Sequence, residues 1–414
     1  MLFNGKKPKK AIDPAFLTQR VDRYRKRVNA NPSHILQGRQ PRPGDITMVS
    51  NDYLDLGSHP DMIAAQVSAL EAEGHGLLRS DVYRNGHGPL NNFEHSLALL
   101  MGSEAVALSQ SGWAANVGLM QSLAGEKIPV YLDMYAHFSI WEGVKSAGAR
   151  ARPFKHNDPG SLESMIKRHG PGVVVFETVY STDGSVGPVK ELVKVGEKYG
   201  CALVVDESHS LGVYGRHGEG MVAALGLTHR VHFRTASLSK AFASRGGIIA
   251  GSAQNLEFFQ YEALPAIFSS CVLPYEAAGF SATLKLIRDG RERRLVLHHN
   301  ADYLRDGLLE LGYNVTASQS PIISLEPGTE LETIVLRDAL EIRGVFGSVF
   351  CWPATPRDRT LIRFSLNSGL SKYDLAAVLQ VCSDIRDEIN MWDWKSTRQL
   401  QAQRRTPARS ARRA

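Results

Sequence analysis

The chain has 414 residues, of which 43% are apolar and 22% charged, a composition typical of a globular protein large enough for two domains. No apolar run approaches the roughly 18–20 residues that cross a membrane, and the basic N-terminus lacks the apolar stretch of a signal peptide. We therefore expect a cytoplasmic protein without a membrane span.

The net charge of +6 and the four cysteines narrow the classes of function further. Six arginines and no acid follow residue 397, so the preceding body is close to neutral and gives no reason to expect a nucleic-acid partner. The cysteines lie far apart and form no C-x-x-C pair, which argues against a disulfide framework or a zinc site (Cys201, Cys271, Cys351 and Cys382).

Changes in composition and periodicity divide the chain into four predicted segments. They are an N-terminal arm and lead-in, a large domain, a smaller C-terminal α/β domain and a basic tail (1–60, 61–285, 286–392 and 393–414). The tail combines arginine and glutamine with few apolar residues, a composition that indicates disorder.

Short apolar, β-branched runs alternate with helical patterns in the predicted large domain. The runs cover 172–176, 201–206, 231–237 and 246–251. Continuous apolar strands separated by helices are typical of a mainly parallel sheet covered on both faces, which binds ligands at the carboxyl ends of its strands. The sequence therefore predicts an α/β fold with a ligand site at that edge.

Two motifs that precede these strands contain candidate binding residues. In "SQSGWAANVG" (109–118), Ser111, Gly112 and Trp113 come before a helical pattern, and the open amides of a helix N-terminus bind anions. In "YAHFSIWEG" (135–143), His137 lies among aromatic residues. Taken alone, an ordinary capped helix and a core histidine explain these two motifs better.

Acidic and imidazole side chains stand at the ends of two predicted strands. Glu177 follows the run 172–176, and Asp206 ends the run 201–206, with His209 three residues later. The carboxyl ends of parallel strands meet at one edge, so these side chains can converge on one crevice. The stretch "DESH" also suits a capped helix start, and no His-x-x-x-His or Glu-x-x-His pair completes a metal site.

Lys240 follows a third predicted strand, in "TASLSKAFASRGG" (235–247). Burial in a crevice disfavours the charged form of a lysine, and the neutral amine can attack a carbonyl. The preceding hydroxyl residues, which include Thr235 and Ser237, can bond a phosphate. Taken alone, a surface lysine in a serine-rich loop explains the pattern better.

Together, these motifs closely resemble the α-oxoamine synthases, which are fold-type I enzymes that depend on pyridoxal phosphate. The resemblance runs from about residue 51 to about residue 390. It rests on "SNDYLDLGSHP" (50–60), "SGW" (111–113), "HFS" (137–139), "HND" (156–158), "ETVYSTDGSVGP" (177–188), "DESHSLGVYGRHGEG" (206–220), "TASLSKAF" (235–242), "FSSCVLP" (268–274) and "RFSLN" (363–367).

The resemblance implies pyridoxal 5'-phosphate as the cofactor and gives the candidate catalytic residues their roles. Lys240 would form the Schiff base with the cofactor. Asp206 would face the pyridinium nitrogen and keep it charged. His137 would stack on the ring, and His209 and Ser181 would bond near its phenolic oxygen.

The same resemblance implies the remaining contacts and a homodimer with a shared active site. Asn51 and Arg363 would hold the carboxylate of an amino-acid-like substrate, for which a guanidinium fork is suited. The other cofactor-binding candidates are Ser111, Gly112, Trp113, Glu177, Thr235 and Ser237, together with Ser269 or Ser270 of the partner subunit.

Departures from the family pattern narrow the branch. Leu90 stands where the biotin-type and haem-type members carry a histidine, which argues against synthesis of 8-amino-7-oxononanoate or 5-aminolevulinate. The stretches "LSQSGWAANVGL", "SIWEG", "DESHSLG", "FGSVFCWPAT" and "SLNSGLS" resemble instead the branch that makes α-hydroxyketone quorum-sensing autoinducers. The expected reaction is a decarboxylative condensation of a medium- or long-chain acyl-CoA with S-adenosylmethionine or 2-aminobutyrate.

Three alternatives stay open at this point. Within the family, the alternative is a biosynthetic enzyme such as 8-amino-7-oxononanoate synthase or 2-amino-3-ketobutyrate CoA ligase. Residues 237–240 also spell S-x-x-K, the serine acyl-enzyme motif, but without the S-D-N and K-T-G that accompany it. A nucleic-acid-binding regulator would use the arginine-rich tail, but no helix-turn-helix pattern precedes the body.

Overall fold

The computed structural model describes residues 13–84 and 86–405. Within these residues the strands are β1 (Ile46–Met48), β2 (Ala105–Ser109), β3 (Pro129–Asp133), β4 (Arg150–Phe154), β5 (Val173–Glu177), β6 (Ala202–Asp206), β7 (Phe233–Ser237), β8 (Gly247–Gly251), β9 (Ile322–Gly328), β10 (Val345–Phe350) and β11 (Thr360–Ser365). The helices are α1 (Ala15–Val28), α2 (Pro60–Glu73), α3 (Pro89–Met101), α4 (Gly112–Leu123), α5 (Phe138–Ser146), α6 (Pro159–His169), α7 (Val189–Lys198), α8 (Met221–Ala224), α9 (Ala253–Glu262), α10 (Leu264–Phe268), α11 (Pro274–Asp289), α12 (Arg291–Glu310), α13 (Glu330–Ile342), α14 (Lys372–Asp384) and α15 (Lys395–Arg405).

Seven strands form the larger sheet, in the order β2-β8-β7-β6-β5-β3-β4. Strand β8 runs antiparallel to both neighbours, and the other pairs are parallel. The central strands β5 and β6 are buried along almost their whole length, which explains their continuous apolar runs. The predicted α/β fold with a mainly parallel sheet is confirmed.

The register of the central strands brings the predicted site residues to one level. Glu177 pairs with Asp206, and Asp206 pairs with Thr235. Because these strands are parallel, their carboxyl ends open on the same side of the sheet. Helices α4 and α5 begin at this edge and pack against each other on one face.

A smaller four-stranded sheet has the order β1-β10-β11-β9. Strand β1 comes from the N-terminal lead-in and pairs in parallel with β10, while β10, β11 and β9 pair antiparallel. Helices α12 and α13 pack against this sheet. The lead-in is therefore tied to the C-terminal part of the chain, and the boundary at residue 285 stays a prediction.

The C-terminal segment that composition indicated to be disordered contains helix α15. The expectation of disorder does not hold for Lys395–Arg405, because Trp394, Thr397 and Leu400 anchor this segment and are all buried. The Trp394 indole also meets the Tyr313 ring edge-on. These side chains and the buried Ser396 are too few to change the average composition of the tail. Residues 406–414, which hold its last three arginines, lie outside the described residues.

None of the helices in 13–84 and 86–405 is long and apolar enough to cross a membrane.

Candidate active site

The carboxyl ends of β5, β6 and β7 open into a cavity of about 1270 Å³. Most of the predicted site residues line it, from segments up to 312 positions apart in sequence. They are Asn51, Ser111, Gly112, Trp113, His137, Glu177, Ser181, Asp206, His209, Ser237, Lys240 and Arg363. Thr235, Ser269 and Ser270 do not line the cavity.

The Asp206 carboxylate is buried and held by two donors. The Asn116 amide donates to Oδ2 at 2.8 Å, and the Ser208 backbone N–H donates to Oδ1 at 2.8 Å. Thr235 lies behind this pair, where its hydroxyl donates to Asn116 Oδ1 at 2.7 Å. Thr235 therefore contacts Asn116 and not the cavity. No lysine or arginine of the described chain forms an ion pair with Asp206, so the carboxylate can face a cation in the cavity.

Lys240 lies across the cavity in the loop after β7. Its ammonium group makes no hydrogen bond or ion pair within the described ranges. Burial lowers the pKa of Lys240, and the nearby charge of Arg363 lowers it further, while Asp206 and Glu177 act in the opposite direction. The side chain is thus poised to carry a neutral amine.

Arg363 projects from the fully buried strand β11 with only 5% of its surface exposed. Its guanidinium donates to the Ser181 carbonyl at 2.8 Å and to Asn51 Oδ1 at 3.1 Å, and it lies over the Phe350 ring. Nε has no partner among the described residues, and no carboxylate pairs with the group. Burial lowers the pKa of Arg363. A buried cation without an anion is costly, so this position is suited to an anionic ligand.

His209 is almost fully buried. Its Nδ1 contacts protein, and its ring also lines the cavity. The Tyr53 hydroxyl lies 2.6 Å from His209 Nδ1, and the two rings meet edge-on. Burial, together with the charges of Lys240 and Arg363, depresses the pKa of His209 well below its usual value. The imidazole is therefore neutral.

His137 caps the start of α5 and faces the cavity. Its backbone N–H donates to Glu177 Oε1 at 2.6 Å, and its ring meets Trp113 edge-on at 6.1 Å between centroids. Burial lowers the pKa of His137, and the charge of Lys240 lowers it further, while Asp206 acts in the opposite direction. Burial and the nearby Asp206 raise the pKa of Glu177 well above normal. Glu177 thus positions the backbone at His137.

The N-terminus of α4 forms a polar corner of the cavity. Ser111 caps the helix by accepting from the Ala114 N–H at 3.1 Å. A Cβ on Gly112 would come within 2.6 Å of Ser237 Cβ, so only glycine lets the end of β7 approach the helix this closely. The hydroxyls of Ser237 and Ser239 lie 2.8 Å apart beside it. Open amides and hydroxyls at one corner are suited to a phosphate.

Ser269 and Ser270 are exposed and lie outside the cavity. Ser270 pairs with Ser80 in an isolated antiparallel bridge, and its carbonyl accepts from the Gln110 amide at 2.8 Å. The pair is therefore held next to the start of α4, and its contact with a partner subunit's phosphate stays a prediction.

Sequence reasoning missed four of the residues that build the polar end: Asn116, Ser208, Tyr53 and Ser139. Asn116 is the one with a recognisable signal, because it is the only polar side chain in the first nine residues of helix α4 (112–120). It bonds Asp206 and also donates to the Ser139 hydroxyl at 3.0 Å. Ser208, for which no role was predicted, also accepts from the Ser237 N–H at 2.9 Å.

Glu207 turns away from the cavity, although it adjoins Asp206. Its carboxylate is fully buried and pairs with the Arg234 guanidinium at 2.5 Å. It also accepts from the Val222 N–H at 2.9 Å and from the Ser210 hydroxyl at 3.0 Å. With every contact satisfied inside the protein, Glu207 is a structural residue.

Beyond His137 the cavity continues as an apolar groove. Phe138, Trp141 and Lys145 lie on one face of α5 and line it. The loop at 352–356 forms the opposite wall. Past the end of α5, small side chains line the groove. The apolar lining residues are Met134, Phe138, Trp141, Val144, Ala149, Ala151, Trp352, Pro353, Ala354 and Leu361. The lining residues of α5 run from Phe138 to Lys145, so the groove spans roughly 10 Å along the helix at the helical rise per residue.

The polar end fits pyridoxal phosphate by the chemistry of its donors. The corner at Gly112 and Ser237 can take a phosphate, Lys240 supplies a primary amine, and Asp206 supplies a carboxylate without a protein cation.

Comparison with known proteins agrees with this chemistry. The model of the aminotransferase class I and II family matches residues 43–381. The CAI-1 autoinducer synthase of Vibrio campbellii is 42% identical over 381 residues, which cover 91% of this chain and 97% of that protein. The chain is an α-oxoamine synthase of the aminotransferase class I and II family. Its cofactor is pyridoxal 5'-phosphate, and the reaction it catalyses is an acyl transfer.

Two further relatives show how widely the family resemblance extends. The 8-amino-7-oxononanoate synthase of Symbiobacterium thermophilum is 31% identical over 367 residues, covering 87% of this chain and 92% of that protein. A solved structure of a serine palmitoyltransferase from S. paucimobilis, with a bound PLP–myriocin aldimine, superposes with a TM-score of 0.82. It is 26% identical and covers 91% of this chain and 98% of its own. The predicted family, fold type and cofactor are confirmed.

Proposed function

We propose that this α-oxoamine synthase condenses a medium- or long-chain acyl-CoA with S-adenosylmethionine or 2-aminobutyrate. The product is the long-chain α-amino ketone precursor of a quorum-sensing autoinducer. The observation that carries this proposal is one continuous cavity, with Lys240, Asp206 and Arg363 at its polar end and an apolar groove beyond them. The identity of 42% to a CAI-1 autoinducer synthase supports the same product class.

The amine donor binds through its carboxylate at the polar end. Arg363 carries a full charge with no protein anion, and Asn51 fixes one edge of the guanidinium. The substrate carboxylate supplies the missing anion and pairs with the guanidinium fork. This places the α-carbon of the donor between Arg363 and Lys240.

Proton transfer at that carbon belongs to Lys240. Its lowered pKa favours the neutral amine, which can accept the α-proton. When bound, pyridoxal phosphate supplies an electron sink for the negative charge left on the α-carbon. Asp206, held by Asn116 and Ser208, would offset the positive charge of the ring nitrogen, and His137, which lines the same cavity, would stack on the ring.

The acyl donor binds with its chain in the groove and its thioester at the polar end. A carbon–carbon bond forms between the α-carbon and the thioester carbonyl, the carbon–sulfur bond breaks, and coenzyme A leaves. The bond to the carboxylate held by Arg363 then breaks and releases carbon dioxide, and Lys240 returns the proton that it took to the α-carbon. Phe138, Trp141 and Trp352 offer the acyl chain apolar surface, and the bound chain covers Phe138 and Trp352, which are otherwise 45% and 49% exposed.

A homodimer in the cytoplasm completes the proposal. Ser269 and Ser270 are exposed beside strongly exposed apolar side chains, Phe268 at 79% and Leu264 at 49%. Exposed apolar surface of this kind marks an interaction site. The partner subunit's serines would then reach the phosphate corner at Gly112. Sedimentation of the purified protein as a dimer supports this arrangement, and a monomer with full activity contradicts it.

Product analysis tests the proposed reaction. Purified enzyme is given acyl-CoAs of increasing chain length with S-adenosylmethionine, 2-aminobutyrate, alanine, glycine or serine, and the products are identified by mass spectrometry. We expect amino ketones from medium or long chains with one of the first two donors. Products formed with alanine or glycine alone would assign the enzyme to the biosynthetic alternatives instead.

A further inference from the structure

The contact between Tyr53 and His209 is a buried pair that the proposed reaction does not yet use. The hydroxyl and Nδ1 are 2.6 Å apart, and the two residues are 1% and 5% exposed. Within 13–84 and 86–405, the Tyr53 hydroxyl has no second polar partner, and His209 Nε2 makes no hydrogen bond to protein. The imidazole ring is therefore bonded to protein on one side and open to the cavity on the other.

The direction of this hydrogen bond follows from the inventory of donors. A tyrosine hydroxyl has one proton, and a neutral imidazole has one protonated and one unprotonated nitrogen. If Nδ1 carried the proton, the Tyr53 hydroxyl would accept and its own proton would be buried without an acceptor, which is unfavourable. If the hydroxyl donates to Nδ1, both groups are satisfied and the ring proton resides on Nε2.

The surrounding contacts fix Tyr53 in this position. Its N–H donates to the Asn51 carbonyl at 2.8 Å, and its carbonyl accepts from the Ser368 N–H at 2.9 Å. The side chain of Asn51 accepts from Arg363. Within the short segment 51–53, Asn51 thus orients the Arg363 guanidinium and Tyr53 orients the His209 imidazole.

We propose that Tyr53 is a positioning residue that holds His209 in the Nε2-protonated tautomer, so that His209 presents an N–H donor to the cavity. This inference rests on the proposed placement of the cofactor's phenolic oxygen beside His209. A negatively charged oxygen there gains a hydrogen bond from Nε2–H, whereas an unprotonated Nε2 would face it with a lone pair. The family resemblance implied that His209 bonds near the phenolic oxygen, but it did not say which ring nitrogen carries the proton.

Nitrogen NMR of the full chain measures the tautomer directly. Protein labelled with ¹⁵N at its 14 histidines is compared with Tyr53→Phe, and His209→Asn assigns the signal by removing it. We expect the Nε2–H form to dominate in the wild type by roughly tenfold, and this excess to be lost in Tyr53→Phe. A wild-type His209 protonated on Nδ1, or an unchanged tautomer in Tyr53→Phe, overturns the proposal.

The cofactor-loaded enzyme gives a second measurement. The pH titration of the bound cofactor's visible absorbance should shift in Tyr53→Phe, and kcat should fall by about tenfold with little change in KM. Tyr214→Phe is the matched control, because Tyr214 also meets a histidine ring edge-on, His298, without a hydroxyl–imidazole hydrogen bond.

The two measurements separate this proposal from the proposed reaction. The tautomer is observed in cofactor-free protein and does not depend on which substrates are used. A wild-type Nε2–H tautomer that Tyr53→Phe abolishes, together with an unshifted absorbance titration, would overturn the role towards the cofactor. Failure of the predicted products would instead overturn the proposed function.

Discussion

The two ends of the cavity are built in different ways. The polar end collects side chains from the carboxyl ends of parallel strands, where the fold itself brings Glu177 and Asp206 into register. The groove is one face of α5 closed by the loop at 352–356, and it holds small and aromatic side chains. The polar end leaves charges unpaired, whereas the groove leaves apolar surface uncovered. The polar end is therefore suited to bind the charged part of a substrate, and the groove is suited to bind an apolar part.

Lys240→Ala should have the largest effect on the polar end. We expect product formation to fall by at least about 10³-fold, because no amine remains to accept the α-proton, and the lysine-dependent visible absorbance of the bound cofactor to disappear. Thermal stability should hardly change, since Lys240 has no bond to lose among the described residues. Lys155→Ala, an exposed lysine, is the control. Activity of Lys240→Ala within tenfold of the wild type would contradict the role.

Glu207→Gln tests whether Glu207 lies outside the polar end of the cavity, as we expect. Glu207 adjoins Asp206 but pairs with Arg234 on the far side of β6, so the change should cost about 3–5 kcal/mol of unfolding free energy by leaving a buried guanidinium unpaired. The double variant with Arg234→Met should recover part of that loss. Activity per folded molecule should stay within about twofold. A stable but inactive Glu207→Gln protein would show that the acid belongs to the active site.

Arg363→Gln should weaken binding of the amine donor. Hydrogen bonds to a charged group contribute about 1.5–3 kcal/mol, so we expect KM for the donor to rise roughly 10- to 100-fold. Steady-state kinetics measure this, with Arg168→Gln on the surface of α6 as the control. A change of less than twofold in KM would contradict the assignment of Arg363 to the substrate carboxylate.

The same variant should shift the pH dependence of cofactor capture. Burial lowers the pKa of Lys240, and the charge of Arg363 lowers it further. Capture needs the neutral amine, which exists above that pKa. Removing the Arg363 charge raises the pKa of Lys240, so the midpoint for recapture of pyridoxal phosphate by cofactor-free protein should move to higher pH. A midpoint that stays in place would exclude this coupling.

Gly112→Ala should give the smallest effect. The added methyl group would meet the Ser237 side chain and push β7 away from the start of α4, which we expect to weaken cofactor binding by about tenfold. Gly125→Ala is a matched control, because nothing lies within 4 Å of its added Cβ. Equal cofactor dissociation constants for the two variants would show that the close approach at Gly112 does not shape the phosphate corner.

The sequence allowed the polar end to be predicted because its chemistry is concentrated at strand ends. Asp206 ends one apolar run and Lys240 follows another, which places both at one edge of the sheet, and the family resemblance gave them their roles. Thr235 does not line the cavity, and the alternation of a strand cannot show that its hydroxyl bonds Asn116 instead. Its predicted contact with the cofactor stays a prediction. Asn116 and Tyr53 act through contacts 90 and 156 positions away in sequence.

The groove and the C-terminal helix could not be predicted for a different physical reason. Phe138 and Trp141 have the spacing of an ordinary packed helix face, and their exposure to a cavity depends on a loop some 200 residues later. Helix α15 depends on the burial of Leu400 against the rest of the protein, which average composition does not reveal. Tertiary packing determines both the exposure of the groove residues to the cavity and the formation of α15.

The most direct test of the account is whether the two ends of the cavity act as one site. Ala149 lines the groove beyond the end of α5, so Ala149→Phe should shorten the range of acyl-CoA chains converted into amino ketone and leave activity on short chains intact. Ala147→Phe, two residues away and outside the cavity lining, is the control. The chain-length profile of products is measured by mass spectrometry. A profile shifted to shorter chains in Ala149→Phe alone is the predicted result, and an identical profile in all three proteins would contradict the account.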